Sequence, residues 1–149
     1  MIGIIVTGHG NFATGLTSGL KLLAGEPENY AAVDFAPEDS IEILSQHLTE
    51  AVESLGGCEA ITVFTDLTGG SPFNVASRLK QEAGRGLIEV AGGTSLPVVL
   101  NAYMTRSVIT DAALLMDQSL AAGKEQMVRV QPLADNTDDD CECEEYEEE

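Results

Sequence analysis

The sequence predicts an α/β fold: an open, doubly wound, parallel sheet of strand order 2-1-3-4, covered by helices on both faces, with a further strand at an edge near the C-terminus. Three observations carry that reading. Four short runs, "IGIIV" (residues 2–6), "YAAVDF" (30–35), "AITVFTD" (60–66) and "LIEVAGG" (87–93), are rich in β-branched and apolar residues, as strands buried on both faces are. The segments between them place apolar residues at helical spacing. Glycine, proline or a capping side chain stands where each helix must begin or end.

Taken in order, the first strand ends in the glycine-rich turn "TGHGN". It leads into a helix whose apolar stripe is Ala13, Leu16, Leu20 and Leu23, stopped by Gly25 and Pro27. After the second strand, Asp39 with Glu42 reads as a capping box for a helix striped by Ile41, Leu44, Leu48, Ala51 and Leu55. The third strand ends at Asp66, and Ser71-Pro72 opens a third helix that ends near Gly84. Strict β-α-β alternation implies right-handed crossovers and helices on both sides of the sheet. Beyond the fourth strand, residues 97–104 and 111–122 read as helices. "QMVRVQP" (126–132) reads as a last strand that its proline confines to an edge. His47 falls at the flank of the second helix's stripe, and Met104, Met116 and Met127 read as core.

At 149 residues the chain reads as one domain, residues 1–134, followed by an acidic tail, 135–149. The tail holds ten acids and no base and reads as a solvated, disordered extension. It accounts for more than half of the net charge of −18, leaving fifteen acids against seven bases elsewhere. Nucleic acid and anionic lipid are therefore poor partners. No run approaches the roughly 18 apolar residues of a membrane span, and "MIGIIVTG" lacks the basic leader of a secretion signal, so the cytosol is the expected compartment. The three cysteines, Cys58, Cys141 and Cys143, read as free thiols, and neither a metal nor a cofactor is expected.

In an open parallel sheet, ligands bind beyond the carboxyl ends of the strands, where neighbouring crossovers depart to opposite sides. In the order 2-1-3-4, strands one and three are neighbours, so His9 and Asp66 should face each other across that crevice. A carboxylate that accepts the N–H of one imidazole nitrogen leaves the other free as a nucleophile and stabilises the charge that develops on the ring. Both turns, "TGHGN" and "DLTGGSP", run into helix N-termini, where free amides and the helix dipole favour an anion. Gly10, Thr68, Gly70 and Ser71 are the candidate phosphoryl contacts: the glycines for close backbone approach, the hydroxyls as donors. "GHGNFATG" misses the dinucleotide spacing, and neither turn has the lysine of a nucleotide-binding P-loop. Neutral donors alone would hold the group without the grip of a charged clamp.

"GIIVTGHGNFATGL" and "TDLTGGSPFNVA" together resemble the mannose-type IIA proteins of the bacterial phosphoenolpyruvate-dependent sugar phosphotransferase system, over roughly residues 1–132. The resemblance implies that the phosphocarrier protein HPr phosphorylates His9, which Asp66 orients. His9 then passes the group, contacted by Ser71, to a IIB subunit that phosphorylates sugar during uptake through membrane IIC and IID components. It also implies a homodimer that exchanges its last strand, near residues 127–130, and a cytoplasmic protein that meets the membrane only through the transporter. Phe12, Leu67 and Phe73, beside the motif residues, are candidates for an apolar docking rim. The turn "AGGTSLPVVLNA" departs from the family, which more often has an asparagine before an aliphatic-proline pair. A non-catalytic regulatory module, in which His9 and Asp66 only line an anion pocket, is the competing reading. Metal-dependent hydrolysis is disfavoured because His47 is the only other histidine.

Overall fold

The structure is a computed structural model that describes residues 1–133. Its elements run β1 (Ile2–His9), α1 (Phe12–Ala24), β2 (Tyr30–Phe35), α2 (Ile41–Ser54), β3 (Ala60–Thr65), α3 (Ser71–Ala83), β4 (Ile88–Ala91), α4 (Leu96–Thr105) and α5 (Ala112–Glu125). The four strands form one sheet of order β2-β1-β3-β4, every pair parallel, as the alternation requires. β1 lies in the middle and carries His9 at its carboxyl end.

Alternation along the strands builds two cores. Ile2, Ile4, Val6 and Phe64 face α1, α4 and α5, whose Leu20, Val99 and Leu115 are fully buried against them. Ile5 and Val63 face α2 and α3, meeting Leu44, Leu48 and Val75. Each fully buried Leu, Ile or Phe side chain stabilises by about 1.5–3 kcal/mol, whereas a helix cap contributes about 1 kcal/mol. The buried pattern therefore determines the sheet, while element ends settle on weaker local preferences.

The ends are where expectation and structure part. β1 continues past Val6 to His9 because β2 supplies partners as far as the pairs Gly8–Asp34 and His9–Phe35. β4 stops at Ala91, and Gly93 turns with a φ of +67°. The cap of α2 is Ser40, whose hydroxyl accepts the Ile43 N–H at 3.2 Å; Asp39 instead turns back to accept the Ala36 N–H at 3.0 Å. Ser40 wins because it stands immediately before the first helical residue. Leu23 and Ile41, at the outer ends of their stripes, are exposed. So is Met104, which lies about 200° around α4 from buried Ala102. Met116 is core as expected.

Residues 126–132, where a strand is expected, make no ladder with the chain's own sheet. Met127, Val128, Val130 and Leu133 are all largely exposed. The acidic tail, with Cys141 and Cys143, lies outside the described residues.

At the amino end of the sheet, Arg106 is buried although nothing in the sequence pattern marks it. Its guanidinium donates to the carbonyls of Ile2 (2.9 Å), Asn29 (3.0 Å) and Glu28, and stacks on the Tyr103 ring at 4.5 Å. The Tyr103 hydroxyl in turn accepts the Glu28 N–H at 3.2 Å. This clasp ties the β2 entry loop to the start of β1.

Candidate active site

His9 and Asp66 meet as the strand order requires. Asp66 Oδ2 accepts two hydrogen bonds, from the His9 backbone N–H at 2.8 Å and from the ring Nδ1 at 2.9 Å. With Nδ1 engaged as donor, the Nε2 lone pair is free, and the side chain is 46% exposed, enough for another protein to reach it. Burial on its own would raise the Asp66 pKa. The hydrogen bonds from His9's backbone and ring, the positive charge of a protonated His9 and the N–H of Leu67 outweigh that effect and hold the carboxyl below the usual range. Asp66 thus remains an acceptor and stabilises positive charge on the ring.

Missing side chains make room for this pair. A methyl group on Gly8 would sit 2.8 Å from Asp66 Cγ and 2.5 Å from the Phe12 ring, so only glycine lets the carboxylate cross to His9. A methyl on Gly70 would stand 2.8 Å from His9 Cε1 and 3.5 Å from Nε2, so the imidazole lies directly against the first turn of α3. A methyl on Gly92 would overlap Thr68. Gly10 serves differently: it has a φ of +58°, open space around it, and an N–H that donates to the Phe35 carbonyl at 2.8 Å.

The two helix N-termini at the site are not equivalent. At α1, the N-cap Asn11 makes no side-chain cap, and Asp34 of β2 takes its place by accepting the Thr14 N–H (3.0 Å) and hydroxyl (2.7 Å). At α3, Gly70 is the N-cap, Pro72 follows Ser71, no acid occupies the first turn, and no side chain caps it. The Ser71 and Phe73 N–H groups have no acceptor among the described residues. An anion on Nε2 therefore has one N-terminus already matched by a carboxylate and one, beside the ring, that is open.

Comparison with known proteins places the chain in a family. Residues 3–120 match the family model EIIA-man, described as the PTS system fructose IIA component. The chain belongs to the mannose-type IIA family of the phosphotransferase system. It is 25% identical over 146 residues to the fructose-specific EIIA component of Bacillus subtilis (strain 168), covering 94% of this chain and 99% of that one. It is 31% identical over 105 residues to the mannose-specific EIIAB component of Escherichia coli (strain K12), an alignment spanning 70% of this chain but 32% of that longer protein. The crystal structure of a phosphotransferase system EIIA component from Streptococcus agalactiae superposes with a TM-score of 0.80 at 33% identity, covering 87% of this chain and 97% of that one.

Within this IIA domain the remaining site residues fall into place unevenly. Ser71 is the first residue of α3, directly after the glycine that touches the imidazole. Thr68 leans on Gly92, and Thr94 is buried with its N–H (3.1 Å) and hydroxyl (2.8 Å) both donating to the Thr65 carbonyl. The β4–α4 turn thus props the Asp66 loop from behind. Of the candidate rim residues, Leu67 is 58% exposed, Phe73 is half-buried, and Phe12 packs beneath Gly8 against the core. His47 lies on the exposed side of α2. Among the described residues no group of three or more metal-ligating side chains gathers, and no helix is long and apolar enough to cross a membrane.

Sequence reasoning missed Gly8, Asp34 and Phe35. The Phe35 ring lies 5.9 Å from the imidazole at a tilt of 58°. The signal was available: in the order 2-1-3-4, the end of strand two must also lie beside His9, and "VDFAP" ends that strand.

Proposed function

We propose that His9 is the group on which this IIA chain carries phosphorus. Nε2 attacks the phosphorus of phospho-HPr; the Nε2–P bond forms as the bond from phosphorus to the donor breaks, and that bond's electron pair returns to HPr. Nδ1 keeps its proton, held by Asp66, and the positive charge that develops on the ring is balanced by the carboxylate. Transfer to a IIB subunit repeats the step with the roles exchanged, and the IIB subunit phosphorylates the sugar taken up through the IIC and IID components.

The observation that carries this reading is the 2.9 Å contact of His9 Nδ1 with Asp66, which leaves Nε2 free beside Gly70 at the uncapped start of α3. Ser71 supports the phosphoryl group with its N–H and hydroxyl, and Gly70 by letting it approach. Thr68 and Gly10 contribute by shaping the two turns. Leu67, with Phe73 and the edge of Phe12, forms the apolar rim on which HPr and the IIB subunit dock in turn. The exposed apolar residues of 127–133 support a homodimer in which each copy lends that segment to its partner's sheet edge, and the protein works in the cytoplasm. The domain is read as ending near residue 134, where the acidic run of the sequence begins.

The test is phosphorylation with phosphoenolpyruvate, enzyme I and HPr. The wild-type chain should acquire one acid-labile, alkali-stable phosphate, and His9→Ala none. Label retained in His9→Ala, or tight binding of a phosphorylated metabolite without covalent label, would overturn the carrier assignment in favour of another acceptor or a non-catalytic anion module.

A further inference from the structure

Two carboxylates flank Gly8. The register of β1 with β2 sets Asp34 directly beside it, and the register with β3, one step past the pair Thr7–Thr65, brings Asp66 to its other side. Both point to the face covered by α1: Asp66 Cγ lies where a Gly8 methyl would go, and Asp34 bonds Thr14 of α1. Neighbouring strands stand about 4.8 Å apart, so the two backbones are separated by roughly 10 Å across His9's strand. The two acids divide their labour. Asp66 holds the ring of His9; Asp34 holds the helix that follows it, in place of the cap Asn11 does not provide. Phe35, the next residue after Asp34, takes the Gly10 N–H, so the whole turn from His9 to Thr14 hangs from the end of β2.

We infer that Asp34 is a positioning residue with an electrostatic consequence: a fixed negative charge at the N-terminus of α1 that steers the phosphoryl group on His9 towards α3 and keeps the phosphorylated state from becoming too stable to discharge. An N-terminus satisfied by a neutral Ser or Asn would cap the helix equally well and leave its dipole attracting the phosphate. A carboxylate cancels that attraction and adds repulsion. A carrier must give up what it accepts, and a site without lysine or arginine in either turn, with an acid on each side of Gly8, binds phosphate weakly enough to do so.

This inference rests on His9 being the phosphoryl acceptor, and Asp34→Asn separates the two. Asparagine preserves the cap, its Oδ1 accepting the Thr14 N–H and its Nδ2 donating to the Thr14 hydroxyl, while it removes the charge. The measurement is the equilibrium partition of phosphoryl groups between HPr and the full-length chain, at about 20 mM and about 500 mM salt. Asp34→Asn should shift the partition towards this protein by roughly three- to tenfold at low salt, and the shift should shrink at high salt as screening grows. Asp34→Ala, which also removes the cap, should lower the unfolding midpoint where Asp34→Asn does not. A partition equal to wild type in Asp34→Asn would overturn the electrostatic role and leave Asp34 a cap. Failure of the wild-type chain to take label on His9 would instead overturn the acceptor assignment.

Discussion

The two ends of β1 use polar side chains in opposite ways. At the amino end, Arg106 is 5% exposed and spends its donors on three carbonyls, with its flat face on Tyr103. At the carboxyl end, His9 engages one ring nitrogen, leaves the other open, and keeps nearly half of its side chain in solvent. The first arrangement is buried against backbone carbonyls and a ring face, and it holds. The second is held firmly on one side so that the other is free to react. Strand ends supply backbone groups and loops in both places; what separates a clasp from a reactive site is whether a side chain keeps a nucleophilic atom open to solvent.

The largest effect expected on that contrast is on stability. Arg106→Met removes the donor of the Ile2 and Glu28 carbonyls, while Asn29 keeps the Ile4 N–H at 3.1 Å, and with the stacking on Tyr103 also lost a destabilisation of about 3 kcal/mol is expected from urea unfolding. The rate of phosphoryl transfer, measured well below the variant's melting temperature, should stay within about twofold of wild type. A large loss of transfer in the folded variant would mean that the amino end does more than hold.

Next in size is Asp66→Asn. The amide can present its NH2 to Nδ1, which favours the wrong tautomer, and it lacks the charge to balance an imidazolium. Transfer should slow on the order of a hundredfold, equivalent to about 2.7 kcal/mol in the barrier, with a stability change of about 1 kcal/mol or less. Stopped-flow transfer from phospho-HPr separates the two quantities. Normal transfer in a folded Asp66→Asn protein would remove Asp66 from its orienting role.

How much of this contrast was legible in the sequence differs between the ends. The sheet, its order and the meeting of His9 with Asp66 follow from strong signals: unbroken apolar strands, helical stripes and two glycine-rich turns at strand ends. Arg106 left no such mark, because its partners are backbone carbonyls, which every residue carries, brought from residues 2, 28 and 29 by the fold alone. Asp34 and Phe35 were hidden for a related reason. Their importance comes from register with Gly8 and His9, and a strand's sequence gives its faces but not the partner opposite each residue. Element ends such as Ser40 were misjudged where weak local preferences decide the outcome, and Met104 and Met127 because a methionine's position on its element, not its type, sets its exposure.

A third prediction compares two glycines of the reactive end with each other. Gly70 has an ordinary φ of −76°, so Gly70→Ala should fold normally; but its methyl would press on His9 Cε1 and turn the ring, slowing transfer about tenfold, or roughly 1.4 kcal/mol. Gly10 has a φ of +58° and nothing nearby, so Gly10→Ala should cost about 1 kcal/mol of stability through backbone strain. Its transfer rate should fall less than that of Gly70→Ala. The reverse ranking in transfer would place the critical contact on the first turn instead of the second.

The smallest effect is a pH window in stability. The Asp66 carboxyl is held below its ordinary value of 3.8: burial opposes this, and the hydrogen bonds and charge of His9 outweigh burial. A carboxyl group whose native pKa lies below its unfolded one stabilises the fold at every pH above the unfolded value, and that contribution disappears as the pH falls through the native value. The difference in unfolding free energy between wild type and Asp66→Asn should therefore shrink progressively as the pH falls below about 5, when read by urea titration at successive pH values. Using the difference between the two proteins cancels the other acids, which titrate alike in both. A difference that stays level or grows on acidification would mean that His9 does not hold Asp66 ionised, and the free nitrogen at the carboxyl end would then lack the partner that keeps it ready.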